Sequence, residues 1–191
     1  MKRMAEIAKL NSGTPQFRIK ESLSQDAPGF FFYGQSEIED DLTGEDTHRG
    51  SKKQIRTYDD VCTLETGDLV FSLISGKAAI IRSNHSGYLY TQNYVKLIPT
   101  PEIDARYLAY MLNEDADIKC HLHRSQQGSD TLKFTIQQLS DLIFSLPPPI
   151  KKQQLIGELY FNQLRLAALK KRVATTEITL IVEKLKEANR S

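Results

Sequence analysis

No stretch of the chain approaches the roughly 20 consecutive apolar residues that a membrane-spanning helix needs. The opening Met1-Lys2-Arg3 runs into Glu6 and Lys9 rather than into an apolar signal core, so a cytoplasmic location is expected. Cysteine is scarce: Cys62 and Cys120 are too few for a disulfide framework and form no CxxC pair. Both are expected to be reduced and partly buried. Internal repeats and low-complexity tracts are missing, which removes solenoid and linker readings.

Signatures of catalysis are missing as well. The sequence has no nucleophile elbow, phosphate-binding glycine loop, paired His-Glu metalloprotease signature or methyltransferase cofactor motif. The acidic run Glu37, Glu39, Asp40, Asp41, Glu45 and Asp46 fails as a calcium loop. With Gly44 as the sixth position, the twelfth must be a carboxylate, and Gly50 stands there. The run reads instead as a solvated loop. Cys120, His121 and His123 lack the second ligand pair that a tetrahedral zinc shell requires. No enzymatic activity, metal or cofactor is expected.

A strong basic excess is also lacking. The net charge is +1, whereas dedicated DNA-binding domains usually carry a marked excess of Lys and Arg. Its distribution is uneven: residues 1–149 hold 16 basic against 20 acidic side chains, and residues 150–191 hold 9 against 4.

What is present is a foldable chain. Its 191 residues suffice for one buried domain of about 150 with a surplus. The 40% hydrophobic and 26% charged content argues against disorder. Gly67-Asp68 is a turn signal leading into Leu69–Ile74, an apolar run of strand length. The loop Ser75-Gly76-Lys77 separates it from a second strand at Ala78–Arg82, with Gly76 free to take positive φ. Tyr88–Tyr90 and Tyr94–Ile98 read as further strands, ended by Pro99 and Pro101. Ala105, Leu108, Ala109 and Leu112 recur at helical spacing with Asp104 as cap, and Thr135–Gln138 fits a capping box. Ile143–Leu146 reads as a strand.

Pro147-Pro148-Pro149 forbids regular helix or sheet-interior pairing and marks a boundary between a head, residues 1–149, and a tail, residues 150–191. From Ile150 to about Asn189 there is no Pro and a single Gly, so one long helix is expected. Leu155, Leu159, Asn162, Leu166, Leu169, Val173, Thr176 and Leu180 alternate at spacings of four and three, a heptad seam. A second stripe, Ile178, Ile181 and Leu185, takes over near the end. Such a helix is about 60 Å long, roughly twice the width of the head, and cannot bury its whole stripe there. The fold class is therefore α+β: a mixed, β-rich globular head followed by one long C-terminal helix with a coiled-coil seam.

The segments Met4–Gly13, Gly67–Ser72, Gln92–Pro99, Tyr107-Leu108, Gln127-Gly128-Ser129 and Leu146–Ile156, in this order and spacing, resemble type I restriction-modification specificity subunits. The likeness covers nearly the whole chain and corresponds to one target-recognition domain plus one conserved helix, a half-length form. Two departures stand out: Lys151 and Lys152 precede the closing Gln where the family usually has acidic residues, and the Ser75-Gly76-Lys77 turn is poorer in Gly.

Full specificity subunits look like two such halves in tandem, with two antiparallel helices between two heads. The resemblance thus implies a homodimer whose helices pair antiparallel, a bipartite inverted-repeat site on double-stranded DNA, and methyltransferase and restriction subunits as partners. A long helix lying on a larger partner remains the other reading of the seam.

The resemblance also implies that loops of the head enter DNA grooves while phosphate contacts set the register. One candidate region is His48–Gln54, offering Arg49, Lys52 and Lys53. Another is Arg124–Ser129 with Lys133, in which Arg124, Gln126 and Gln127 suit base edges and Ser129 lies beside them. Lys77, Gln92 and Asn93 complete the candidates. The rival reading is a structural adaptor that assembles protein partners without reading DNA; a stand-alone nuclease ranks last for want of clustered metal ligands.

Overall fold

A computed structural model of the chain describes residues 1–46, 52–124 and 133–190. The scaffold of the head is a four-stranded antiparallel sheet in the order β2-β7-β5-β6, formed by Ala8–Ser12, Tyr94–Pro99, Leu69–Ser72 and Ala78–Ile80. Two small antiparallel pairs flank it: β1 (Lys2–Arg3) with β8 (Ile143–Phe144), and β3 (Gly29–Phe31) with β4 (Gln54–Arg56).

The strand period explains why β5 read as an unbroken apolar run. Leu69 and Phe71, with Ala78, Val95 and Leu97, face one core; Val70, with Ala79 and Tyr94, faces another. Both faces of the sheet are covered at β5, where even Ser72 is buried. The first core is closed by α1 (Met4–Ile7), α3 (Ala105–Glu114), α4 (Ala116–Arg124) and α5 (Ile136–Ser140), which contribute Met4, Leu108, Leu112, Ile118 and Leu139. The second is closed by α2 (Gln35–Thr43), through Ile38 and Leu42, together with Tyr33, Leu64, Tyr88 and Tyr90.

Several local expectations hold. The Asp104 carboxylate accepts the Tyr107 amide at 2.9 Å and caps α3. Thr135 and Gln138 satisfy each other's amides at 3.1 and 2.7 Å, the capping box that starts α5. Gly76 takes φ of +69° in the β5–β6 connection, although β5 ends at Ser72 and the loop is longer than three residues. The Tyr88–Tyr90 segment is not a strand; Leu89 makes single bridges to Phe32 and Thr63. Cys62 is partly buried, but Cys120 is exposed on α4.

The acidic run is the main correction. It forms α2 and its exit, not a solvated loop, because Ile38 and Leu42 lie one turn apart and bury against the sheet. Most of its carboxylates are engaged within the head. Glu37 accepts the Gly34 amide at 2.9 Å; Asp41 accepts the Tyr33 hydroxyl at 2.8 Å and the Arg82 amide at 3.1 Å, with His85 Nδ1 2.9 Å away. Buried carboxylates survive only when so partnered.

A single helix, α6 (Ile150–Ala188), follows the three prolines. Its first half lies on α3, where Gly157 permits close approach: a Cβ there meets the Arg106 Cβ at 2.6 Å and the Tyr107 nitrogen at 2.7 Å. The side chains turned to the head are Gln153, Gly157, Tyr160, Phe161 and Leu164, at helical spacing. None of them belongs to the heptad seam. From Lys171 to Arg190 every residue is exposed, although Arg172 still reaches Glu45 at the exit of α2. No helix among the described residues is long and apolar enough to cross a membrane.

Candidate nucleic-acid interface and pairing helix

Five of the candidate DNA contacts, Lys52, Lys53, Gln92, Asn93 and Lys133, fall around the segment Tyr88–Asn93, which ends in a turn at Gln92-Asn93. At its start, Lys52 Nζ lies 2.7 Å from the Tyr88 hydroxyl and 5.1 Å above the ring. That hydrogen bond raises the Lys52 pKa above its usual value, so this ammonium is charged throughout the physiological range. Lys53 packs its ammonium 5.0 Å from the Phe32 ring centre. At the other end of the segment, Lys133 Nζ donates to Asn93 Oδ1 at 3.1 Å, and Gln92 is exposed beside it, its backbone N–H donating to the Thr14 carbonyl. The fold thus brings Gln92, Asn93 and Lys133 together at the edge where β7 begins. It holds Lys52 and Lys53 in a separate pair on aromatic rings beside β4.

Lys77 is committed elsewhere: it forms an ion pair with Glu39 of α2. Arg49, Gln126, Gln127 and Ser129, together with His48, lie outside the described residues, as does the side chain of Arg124.

Sequence reasoning overlooked a neighbouring surface. On the β3–β4 ribbon, Phe31, Gln54 and Arg56 are exposed while Phe30 and Ile55 are partly covered. Phe17 stands 78% exposed with the Arg18 guanidinium 5.6 Å from its ring centre. The only signal for the ribbon was the alternation Gln54-Ile55-Arg56-Thr57, too short to separate from a loop.

The heptad seam has a clear placement. Leu155, Leu159, Leu166, Val173 and Leu180 are 56%, 60%, 44%, 55% and 52% exposed. Asn162 and Thr176 are exposed too, and Leu169 partly so. At about 100° per residue this seam lies roughly 165° around the helix from the stripe that docks on α3. The helix therefore carries two faces, one spent on its own head and one left bare.

The sequence matches the model of the type I restriction modification DNA specificity domain over residues 1–179. The chain belongs to this family. Among solved structures, this specificity chain is similar to the HsdS subunit from Thermoanaerobacter tengcongensis, with a TM-score of 0.57 and 18% identity over 89% of its own length and 38% of the other's. A structure from work on complex assembly and conformational transition of the type I R-M system gives TM-score 0.57 and 18% identity, covering 93% and 41%. The type I S subunit from M. genitalium gives 0.50 and 14%, covering 96% and 43%. At these identities the likeness shows a shared fold. The specificity chain spans about two fifths of the length of each of these structures. No curated protein sequence matches it.

Proposed function

We propose that this specificity chain reads DNA sequence without catalysing a reaction, and does so as a homodimer. In this reading residues 1–149 are the DNA-reading head and residues 150–191 the pairing and spacing helix. The observation that carries the proposal is the exposure of the seam leucines and valine, Leu155, Leu159, Leu166, Val173 and Leu180, on a face of α6 turned away from the stripe that docks on the head. An apolar stripe at heptad spacing, bare along a helix that outruns its own domain, gains by burial against a like stripe.

Two copies pairing antiparallel restore, by symmetry, two heads at fixed separation, and inverted heads suit inverted half-sites on double-stranded DNA. Phosphates fall to Lys52, Lys53 and Lys133, and base edges to Gln92 and Asn93, with Arg49, Arg124, Gln126, Gln127 and Ser129 completing the set. Lys77 contributes only if its pair with Glu39 opens. Methyltransferase and restriction subunits supply the chemistry in the cytoplasm, guided by where the dimer sits.

Light scattering at micromolar concentration and the salt dependence of DNA binding test this together. A dimer whose affinity falls steeply with salt supports the reading, because released counterions report neutralised phosphates. A monomer, or binding insensitive to salt, overturns it and favours an adaptor that only assembles proteins.

A further inference from the structure

The seam is self-complementary about one point. Run antiparallel against a second copy, Leu155 meets the partner's Leu180, Leu159 the partner's Thr176, Asn162 the partner's Val173, and Leu166 the partner's Leu169. All eight seam residues are used, and the two-fold axis falls between Ala167 and Ala168. Registers one heptad away leave seam residues unpaired at both ends.

This register has an electrostatic consequence. Arg165 and Arg172 each precede a seam residue, Leu166 and Val173, and so flank the seam on the same side. Antiparallel pairing sets Arg165 against the partner's Arg172, and the reverse, which gathers four guanidinium groups beside the axis. Without anions among them the pairing is disfavoured, as like charges flanking a seam destabilise it.

The head supplies the anion. The exit of α2 crosses α6 here: Gly44, at φ of +72°, lies against the aliphatic part of Arg165, with Cδ 3.4 Å from the position of a Cβ on Gly44. The next residue, Glu45, has a side chain only 8% exposed, and its Oε1 lies 3.2 Å from Arg172 Nη1. That oxygen makes no properly directed hydrogen bond, the one such buried atom among the described residues. The neighbouring carboxylates are engaged: Glu39 by Lys77, Asp41 by Tyr33, and Asp46 by Arg82 and Asn84. Arg165 has no ion pair among the described residues.

We propose that Glu45 of each head accepts two guanidinium groups in the dimer, Arg172 of its own chain and Arg165 of the partner subunit. The contact, which rests on the antiparallel dimer proposed above, ties each head to the opposite helix. It makes the dimer interface more than a coiled-coil seam and fixes the register that sets head separation.

A double-mutant cycle on the dimer dissociation constant tests it, using the full chain with Glu45→Gln, Arg165→Gln and both, at low and high salt. Each single change is expected to weaken the dimer by about tenfold at low salt, with the double variant no weaker than the singles. Thermal unfolding of the Arg165→Gln chain diluted to monomer is expected to match wild type, which separates an intersubunit loss from a folding defect. A wild-type dimer with additive effects in the cycle overturns this contact and leaves the dimer standing. A wild-type monomer overturns the dimer itself, and this contact with it.

Discussion

Gln153 and Asp104 join the helix to the head: Gln153 Oε1 accepts the Asp104 amide at 2.9 Å. Gln153 Nε2 in turn donates to the carbonyls of Glu102 and Pro148 at 2.9 and 2.8 Å, within a site where the side chain is 1% exposed. The residue that caps α3 is thus also held by the first turn of α6. Replacing Gln153 by Ala removes its three hydrogen bonds to half-buried backbone groups and opens a gap at a buried position, and a loss of about 1–3 kcal/mol is expected from urea unfolding. Gln153→Glu removes the donor and adds a charge, and is expected to be no better tolerated.

Gly157 sets how closely α6 approaches α3. A methyl group there meets backbone and Cβ atoms at 2.6–2.8 Å, so the helices must separate. Gly157→Ala is expected to destabilise by about 1–3 kcal/mol despite the better helix propensity of alanine, read as a lower melting temperature. A rise in stability would show that the helix is not seated as described.

Seam residues should behave in the opposite way. Leu159 and Leu166 touch little of the head, so Leu159→Asp and Leu166→Asp are expected to abolish dimerisation in light scattering while leaving the unfolding of the head unchanged within about 0.5 kcal/mol.

The two kinds of proposed DNA contact are separable by salt. Removing Lys52 or Lys133 is expected to weaken binding to all sequences and to lower the slope of log affinity against log salt by about 0.9 for each phosphate that is no longer neutralised. Changes at Gln92 or Asn93 are expected to alter which sequences bind while leaving the slope in place.

Alkaline pH should loosen the second core. Burial pushes the Tyr90 and Tyr94 hydroxyls up from 10.0 to about 12, and Tyr33 is raised as well. A raised folded-state value favours the protonated form in the native state, so this stability is complete below pH 10 and is lost as pH climbs towards 12. The urea midpoint is expected to fall across that window, and less steeply in Tyr94→Phe.

The long helix, the hairpin of β5 and β6, and the caps at Asp104 and Thr135 were legible because each rests on local signals: periodicity, Gly76, and polar residues one turn apart. The placement of α2 was not. Its four charged residues at Glu37, Glu39, Asp40 and Asp41 hid a helix whose stability comes from Tyr33, His85 and Arg82, up to 44 positions away in sequence. Likewise the seam was visible as a repeat, but the docking stripe was not, because Gln153 and Gly157 carry no apolar signal. The candidate DNA residues were legible as chemistry only. Which of them share an edge depends on the Tyr88–Asn93 segment and its bridges, a long-range feature that no window of sequence contains.

Selection from a randomised duplex library, with wild type and the Leu166→Asp chain in parallel and a candidate methyltransferase subunit present in both, tests the central claim most directly. A symmetric dimeric reader predicts inverted half-sites at one fixed spacing for wild type and single half-sites, weakly enriched, for the variant. Identical single sites from both chains, or no enrichment from either, would contradict it.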